Sequence, residues 1–445
     1  MSDCANQLSE LSALLSASAE YWRPHAFYHL QLPWQIQHPK LSARLQTLSL
    51  SQAESLQVDE QALVSFLEDE LPCVADLFHC SHLPRFQSSP LKIYPRGMER
   101  AIPGRKWQQI QAFIAACELP RPQDANSLLD WCGGKGHLGR CAAVQLGQYT
   151  AGMEANVLEI STFGAGSSKA ASIDVSSIDI DAQLIAQAKT LSEGLKLPVS
   201  HAVVDVLADA QAILNDGYLQ SQQQVLSLHA CGGLHVQLIE RAITVGVQAL
   251  SIAPCCYHLY LSDNHLCLGP DKVENYRPLS GWAQANNVFL TLSDLRSCVQ
   301  QTVTAPEHDR RRRKKLQAWR LGFDLLQRHI SGQDSYLPVP SLANRWASAS
   351  FEDVCRHIAH LKHIDIAVLG EPDWPFWEAK GWQRLEWVSA FDLVRMAFRR
   401  PLELWLVLDR ALRLEEAGYE VVVGEFCEAS LSPRNILLEA RLPKV

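Results

Sequence analysis

Leu128-Leu129-Asp130-Trp131-Cys132-Gly133-Gly134-Lys135-Gly136-His137-Leu138-Gly139 constrains this chain more than any other segment, because an apolar run meets an acid, breaks into glycines and resumes as a helical pattern. A strand, a tight turn and a helix from about Leu138 are predicted. Glycine lets the backbone take positive φ and lets a ligand approach the main chain, while the helix start presents unpaired N–H groups. Asp130 then selects among ligands: a carboxylate at the strand end repels a diphosphate but not the cationic end of S-adenosylmethionine. Gly133, Gly134, Lys135 and Gly136 are the expected cofactor contacts beside Asp130; the bland alternative is a turn that only packs a helix on a strand.

Later segments follow in the order a doubly wound sheet requires. Ser176-Ser177-Ile178-Asp179-Ile180-Asp181 reads as a second strand ending in acid, followed by a helix through Ala188. Asp179 is placed to accept hydrogen bonds from ribose hydroxyls, or else Asp179 or Asp181 merely caps the helix. The acid normally follows the glycine turn by roughly 20 residues; here a Ser-, Gly- and Ala-rich stretch from Tyr149 to Ser172 intervenes, and Glu159 is the rival. Val203-Val204-Asp205-Val206 reads as the third strand, with Asp205 near the adenine amino group or as an ordinary strand-end acid.

Two further strand ends, Val225-Leu226-Ser227-Leu228-His229-Ala230-Cys231-Gly232-Gly233 and Ala249-Leu250-Ser251-Ile252-Ala253-Pro254-Cys255-Cys256-Tyr257-His258, complete a pattern. The D-x-x-G-G-K-G-H-L turn, L-H-A-C-G and P-C-C-Y-H together resemble a methyltransferase group. It comprises the methyltransferase-like twenty-five proteins, the domain beside the glutathione-transferase-like C-terminal module and, more distantly, tRNA 2′-O-methyltransferases. Arg400-Pro401-Leu402-Glu403, Leu408-Asp409-Arg410 and Leu431-Ser432-Pro433-Arg434-Asn435 are similar to the closing helix and hairpin of the twenty-five-like proteins. The likeness covers roughly residues 91–260 and 390–445, and departs where Cys132 stands in place of the turn's usual Gly.

The fold expected is α/β: a Rossmann-like seven-stranded sheet with an N-terminal helical module (1–90), a methyltransferase core (91–261), a mostly helical insertion after the fifth strand (262–385) and a closing helix and hairpin (386–445). Residues 1–90 read as a substrate-facing or lid module, or as packing. At 445 residues, 47% hydrophobic and 20% charged, the chain exceeds one ordinary domain and can bury a large core. Thirteen cysteines without disulfide-like spacing, and a start lacking a basic leader or apolar export core, point to a reducing cytoplasm. No run approaches the roughly 18–20 apolar residues of a membrane helix, and a net charge of −8 argues against general affinity for polyanions.

One local exception is Arg310-Arg311-Arg312-Arg313-Lys314-Lys315, at the start of a predicted helix through Ile330. It is either a solvated face or a phosphate contact, where Arg binds bidentately. Trp319 shares a core-like stripe with Leu316, Phe323 and Leu326.

Strand ends carry the chemistry in such a sheet, so Leu228, His229, Cys231, Cys255, Cys256 and His258 are expected to converge beside the methyl donor. Methyl transfer needs alignment and a deprotonated acceptor. His258 is the candidate general base, with His229, Cys255 and Cys256 as further catalytic candidates and Pro254, Tyr257, the four arginines 310–313 and Arg434 as substrate contacts. No Asn or Asp precedes a Pro-Pro-aromatic at the fourth strand end, which argues against methylation of exocyclic amines. Cys255 after Pro254 also resembles the nucleophile of cytosine-carbon methylators, and the same loop can equally be a rigid pocket wall. A zinc site from Cys231, Cys255, Cys256 and His258 is disfavoured, since adjacent cysteines are awkward for one tetrahedral ion; no metal is expected. The leading expectation is an S-adenosylmethionine-dependent methyltransferase acting on RNA (tRNA or rRNA). Alternatives are a small-molecule or protein methyltransferase and a degenerate interaction module.

Overall fold

The computed structural model describes residues 2–121, 123–149, 173–208, 217–268, 272–286, 289–300, 306–339 and 341–443. Two compact units emerge: residues 1–9, 82–299 and 403–445, and residues 10–81 with 300–402.

The first unit is built on a seven-stranded sheet. Its strands are β1 (Ser127–Trp131), β2 (Asp174–Asp179), β3 (Val199–Val203), β4 (Gln223–Cys231), β5 (Ala249–Cys255), β9 (Glu420–Glu425) and β10 (Ile436–Arg441), while β6 (Leu266–Leu268), β7 (Glu274–Tyr276) and β8 (Leu290–Thr291) lie in a separate sheet. They lie in the order β3-β2-β1-β4-β5-β10-β9, with the first five parallel and β10 antiparallel to both neighbours. The order reverses beside β1, the position at which a fold of this topology binds its ligand beyond the strands' carboxyl ends. That topology makes β1, β2, β4 and β5 the strands whose ends position a site.

Buried strands need apolar residues on both faces, and β1 supplies Leu128, Leu129 and Trp131, all fully buried. On one face the helices Gly104–Ala116 and His137–Gln145 pack Phe113, Ile114, Leu138, Cys141 and Val144 against Leu128, Val175 and Leu226. Helix Arg399–Glu415 stops where predicted: Gly418 takes φ +90°, and the Tyr419 N–H donates to the Leu414 carbonyl, closing the last turn. The hairpin then follows as β9 and β10.

Residues 262–299 add strands to the mostly helical insertion expected over 262–385. Their three strands, β6 (Leu266–Leu268), β7 (Glu274–Tyr276) and β8 (Leu290–Thr291), form a small antiparallel sheet within the first unit. Asp409 organises this region, because its buried carboxylate accepts from the Leu279 and Ser280 N–H groups and from the Ser280 and Tyr276 hydroxyls. A contact across some 130 residues leaves no local mark in the sequence.

The second unit is helical. Helices Glu307–Ser331 and Trp374–Met396 approach closely at two glycines: a Cβ on Gly381 would lie 2.4 Å from the Ala318 carbonyl, and one on Gly322 2.8 Å from that of Trp377. Helix Phe351–Lys362 adds Phe351, Val354 and Ile358 to a core with Leu316, Trp319 and Phe323. Trp319 is core, as its stripe predicted, and its indole N–H donates to Glu378. Among the described residues no helix is long and apolar enough to cross a membrane.

Candidate active site

The turn after β1 is shaped by three residues with positive φ, Cys132 (+57°), Gly134 (+58°) and Gly136 (+64°). Cys132 therefore adopts the left-handed backbone that a glycine takes without penalty, at a cost of roughly 1–2 kcal/mol for a residue with a Cβ. Gly133 is required for a different reason: a Cβ there would meet the Asp130 carboxylate at 2.3 Å. Arg140, a residue the sequence reading passed over, is buried under the turn and donates to the Lys135 carbonyl. Lys135 itself is half-buried.

Asp130 departs from its expected role. Its carboxylate is buried, accepts from the Gly139 N–H at 3.0 Å and the Ser177 hydroxyl at 3.2 Å, and so braces the turn from inside rather than facing the open strand end. Burial pushes its pKa up to about 6. The carboxylate caps the helix His137–Gln145, whose first-turn N–H groups, that of Gly139 among them, have no intrahelical partner.

At the end of β2 the two acids divide the work that the sequence left undecided. Asp181 caps the helix Ala182–Gly194, accepting from the N–H groups of Gln183 and Leu184. Asp179 instead spans two loops: one oxygen accepts from the Gly134 N–H and the other from Asp181 N–H, both at 2.9 Å. Asp205 is exposed beyond β3, with its carboxylate accepting from the Leu207 N–H. Glu159, the rival acid, lies outside the described residues. The same sheet edge exposes Ile180 at 63% and Val203 at 53%, and Val203 is the register partner of Asp179. An apolar residue following a strand-end acid was the signal that could have drawn attention to Ile180.

The ends of β4 and β5 lie side by side. Cys231 and Cys255 are register partners across a bulge at residues 229–230, with sulfurs 3.5 Å apart, and the sulfurs of Cys231, Cys255 and Cys256 all lie within 4.8 Å of one another. The bulge puts His229 at φ +70°, and burial with the nearby Lys106 pushes its pKa down to about 4. Leu228, just before the bulge, is half-buried. Glycine is obligatory after Cys231, because a Cβ on Gly232 would sit 1.9 Å from the Leu259 carbonyl. Gly232 N–H donates to Cys255 and Gly233 N–H to Leu259, so the two loops are tied backbone to backbone. Hydrogen bonds from Cys231 and Cys255 hold the Cys256 thiol far below its usual pKa, while the same contacts raise Cys255.

Two expected substrate contacts are not available as such. Pro254 is buried inside β5, beyond Ile252, the last β5 residue paired with β10, where a missing N–H costs no ladder bond on that side. Tyr257 is fully buried, edge-on to His235 and beneath the Arg410 guanidinium, so it supports the loop from behind. His258 is half-buried on that loop, with its Nδ1 buried and without a hydrogen-bond partner; burial and Arg296 lower its pKa.

The hairpin motif is largely architectural. Ser432 accepts from Gln109 and from the Arg434 N–H, and Asn435 donates to the Cys427 carbonyl. Arg434 is mostly buried and pairs with Glu403 at 3.5 Å, which holds it against the protein. The basic run lies in the second unit, on Glu307–Ser331: Arg310, Arg311, Arg312 and Arg313 are exposed, Lys314 pairs with Glu54, and Lys315 sits over the Trp319 ring.

Residues 105–262 match the family model described as Methyltransferase domain, a span that runs from the helix before β1 through the loop after β5. Over that span the chain is similar to a methyltransferase domain, and its seven-stranded, mostly parallel sheet is consistent with a Rossmann-like fold. No match was found among curated proteins or among solved structures.

Proposed function

We propose that this protein uses S-adenosylmethionine to methylate RNA, either tRNA or rRNA. The observation that carries the cofactor assignment is the hydrogen bond from Gly134 to Asp179, which places a carboxylate beside left-handed glycine backbone at the open ends of β1 and β2. Gly134 has space for close approach, since a Cβ there would meet nothing nearer than 3.9 Å. Asp179 would take the ribose hydroxyls, exposed Ile180 and Val203 the face of the adenine, and Asp205 its amino group. S-adenosylmethionine supplies an electrophilic methyl group on a sulfonium.

The chain's own residues then orient the acceptor and receive its proton. His258, with an unpartnered Nδ1 on the loop after β5, is the proposed base. His229, half-buried on the β4 bulge, lines the strand end. Exposed Arg310 to Arg313 are the proposed phosphate contacts on the second unit.

The test is methyl transfer from labelled S-adenosylmethionine to RNA, protein and small-molecule fractions of cells lacking the protein, with a reaction from which the protein is omitted as the blank. Label in RNA supports the proposal, and nucleoside analysis names the atom. Label only in another fraction refutes the RNA assignment, and absence of binding to S-adenosylmethionine refutes the cofactor.

A further inference from the structure

In an extended strand, successive side chains point to opposite faces, so Cys255 and Cys256 should diverge. They do not. Cys256 takes φ +45°, which breaks the alternation and returns its sulfur to the side of Cys255 and Cys231. This is why adjacency, an objection raised by the sequence, does not apply in the fold. A left-handed cysteine is strained, and the strain is held by backbone bonds from Gly232 to Cys255 and from Leu259 to Cys256. The three sulfurs are thus assembled by rigid strand ends.

We propose that Cys231, Cys255 and Cys256 bind one zinc ion through three thiolates, leaving a fourth position open. Zinc–sulfur bonds of about 2.3 Å place neighbouring sulfurs of a tetrahedral site about 3.8 Å apart. The observed 3.5 Å between Cys231 and Cys255, and the 4.8 Å limit on all three, need only a small adjustment. Soft thiolates select zinc over magnesium or calcium. Three thiolates leave one net negative charge around a divalent ion, as in Cys-rich zinc sites. Among the described residues no imidazole or carboxylate joins the three sulfurs as a mutually close group. Three protein ligands and a vacant position are the pattern of sites that admit an exogenous ligand, whereas four ligands close a structural site.

The inference is independent of the methylation reading, because its readout is the metal. The full chain, purified under reducing conditions without chelator, should carry close to one zinc per chain by mass spectrometry. Replacement by Co²⁺ should give the intense near-ultraviolet thiolate-to-cobalt absorption. Cys231→Ser and Cys256→Ser should each lose stoichiometric zinc and that band, while Cys267→Ser, outside the group, keeps both. Circular dichroism establishes that each variant is folded. Wild-type protein that holds no zinc and gives no band with Co²⁺, or a folded Cys231→Ser variant that retains full zinc, overturns the proposal. So does a Cys231–Cys255 disulfide found in freshly isolated protein by mass spectrometry.

Discussion

The Asp179 carboxylate accepts a hydrogen bond from the backbone N–H of Gly134 at 2.9 Å, joining the end of β2 to the turn after β1. The two residues are 45 apart in the chain. Their contact converts a glycine turn and a strand-end acid, each common alone, into one built corner at the carboxyl ends of β1 and β2.

Removing that carboxylate is the most direct test of the cofactor assignment. Asp179→Ala should weaken S-adenosylmethionine binding by roughly 10- to 100-fold, the range for lost hydrogen bonds to a charged group. Thermal stability should change little, because Asp181 still caps the helix. Calorimetry that finds unchanged affinity would move the ribose contact elsewhere, with Glu159 the next residue to replace.

Backbone proximity makes Gly232 far less replaceable than glycines in open positions. Gly232→Ala forces a Cβ to within 1.9 Å of the Leu259 carbonyl at φ +50°, and a cost of about 3 kcal/mol or more is expected. Gly194→Ala, where nothing lies within 4 Å, should be neutral or stabilise by roughly 0.4–1 kcal/mol. Urea denaturation of both variants distinguishes them; equal stabilities would contradict the packing described for the β4 end.

Glu439 gives the sheet a pH dependence. Buried in β10 opposite Ser251, its pKa is pushed up to about 7 by burial from an ordinary 4.5. The unfolded chain therefore releases this proton at lower pH than the folded one, and stability falls as pH rises from about 4.5 to 7. Glu439→Gln removes the effect, so its advantage over the parent should grow across that window to on the order of 3 kcal/mol. Denaturation at pH 5 and pH 8 checks this, and a pH-independent difference would refute it.

For the basic run the decisive quantity is the salt slope. Replacing Arg310 to Arg313 with Ser should weaken RNA binding and reduce the dependence of log K on log salt by roughly 1 to 3, as phosphate contacts are lost. An unchanged slope assigns these exposed arginines to solvated surface, and circular dichroism confirms that helix Glu307–Ser331 persists.

Several features were legible in the sequence because they are set by neighbours in the chain. The strand, turn and helix at residues 127–145, the glycine stop at Gly418, the hairpin after it and the Trp319 core stripe all follow from local periodicity and glycine placement. The order of strand ends was legible too, since parallel strands with helical crossovers put each carboxyl end on the same side. Tertiary structure decided the rest. Whether Asp130 faces out or in depends on Ser177, a residue of another strand. Which acid after β2 caps the helix and which reaches the turn depends on where Gly134 lies. The three cysteines meet only because β4 and β5 pair in one register and Cys256 turns left-handed, and a one-residue slip would separate them. The partition that groups residues 10–81 with 300–402 likewise has no local sign. Periodicity and turn chemistry report what a residue's near neighbours require, whereas the distance between two side chains far apart in sequence is set by strand register and backbone twist, which only the folded chain specifies.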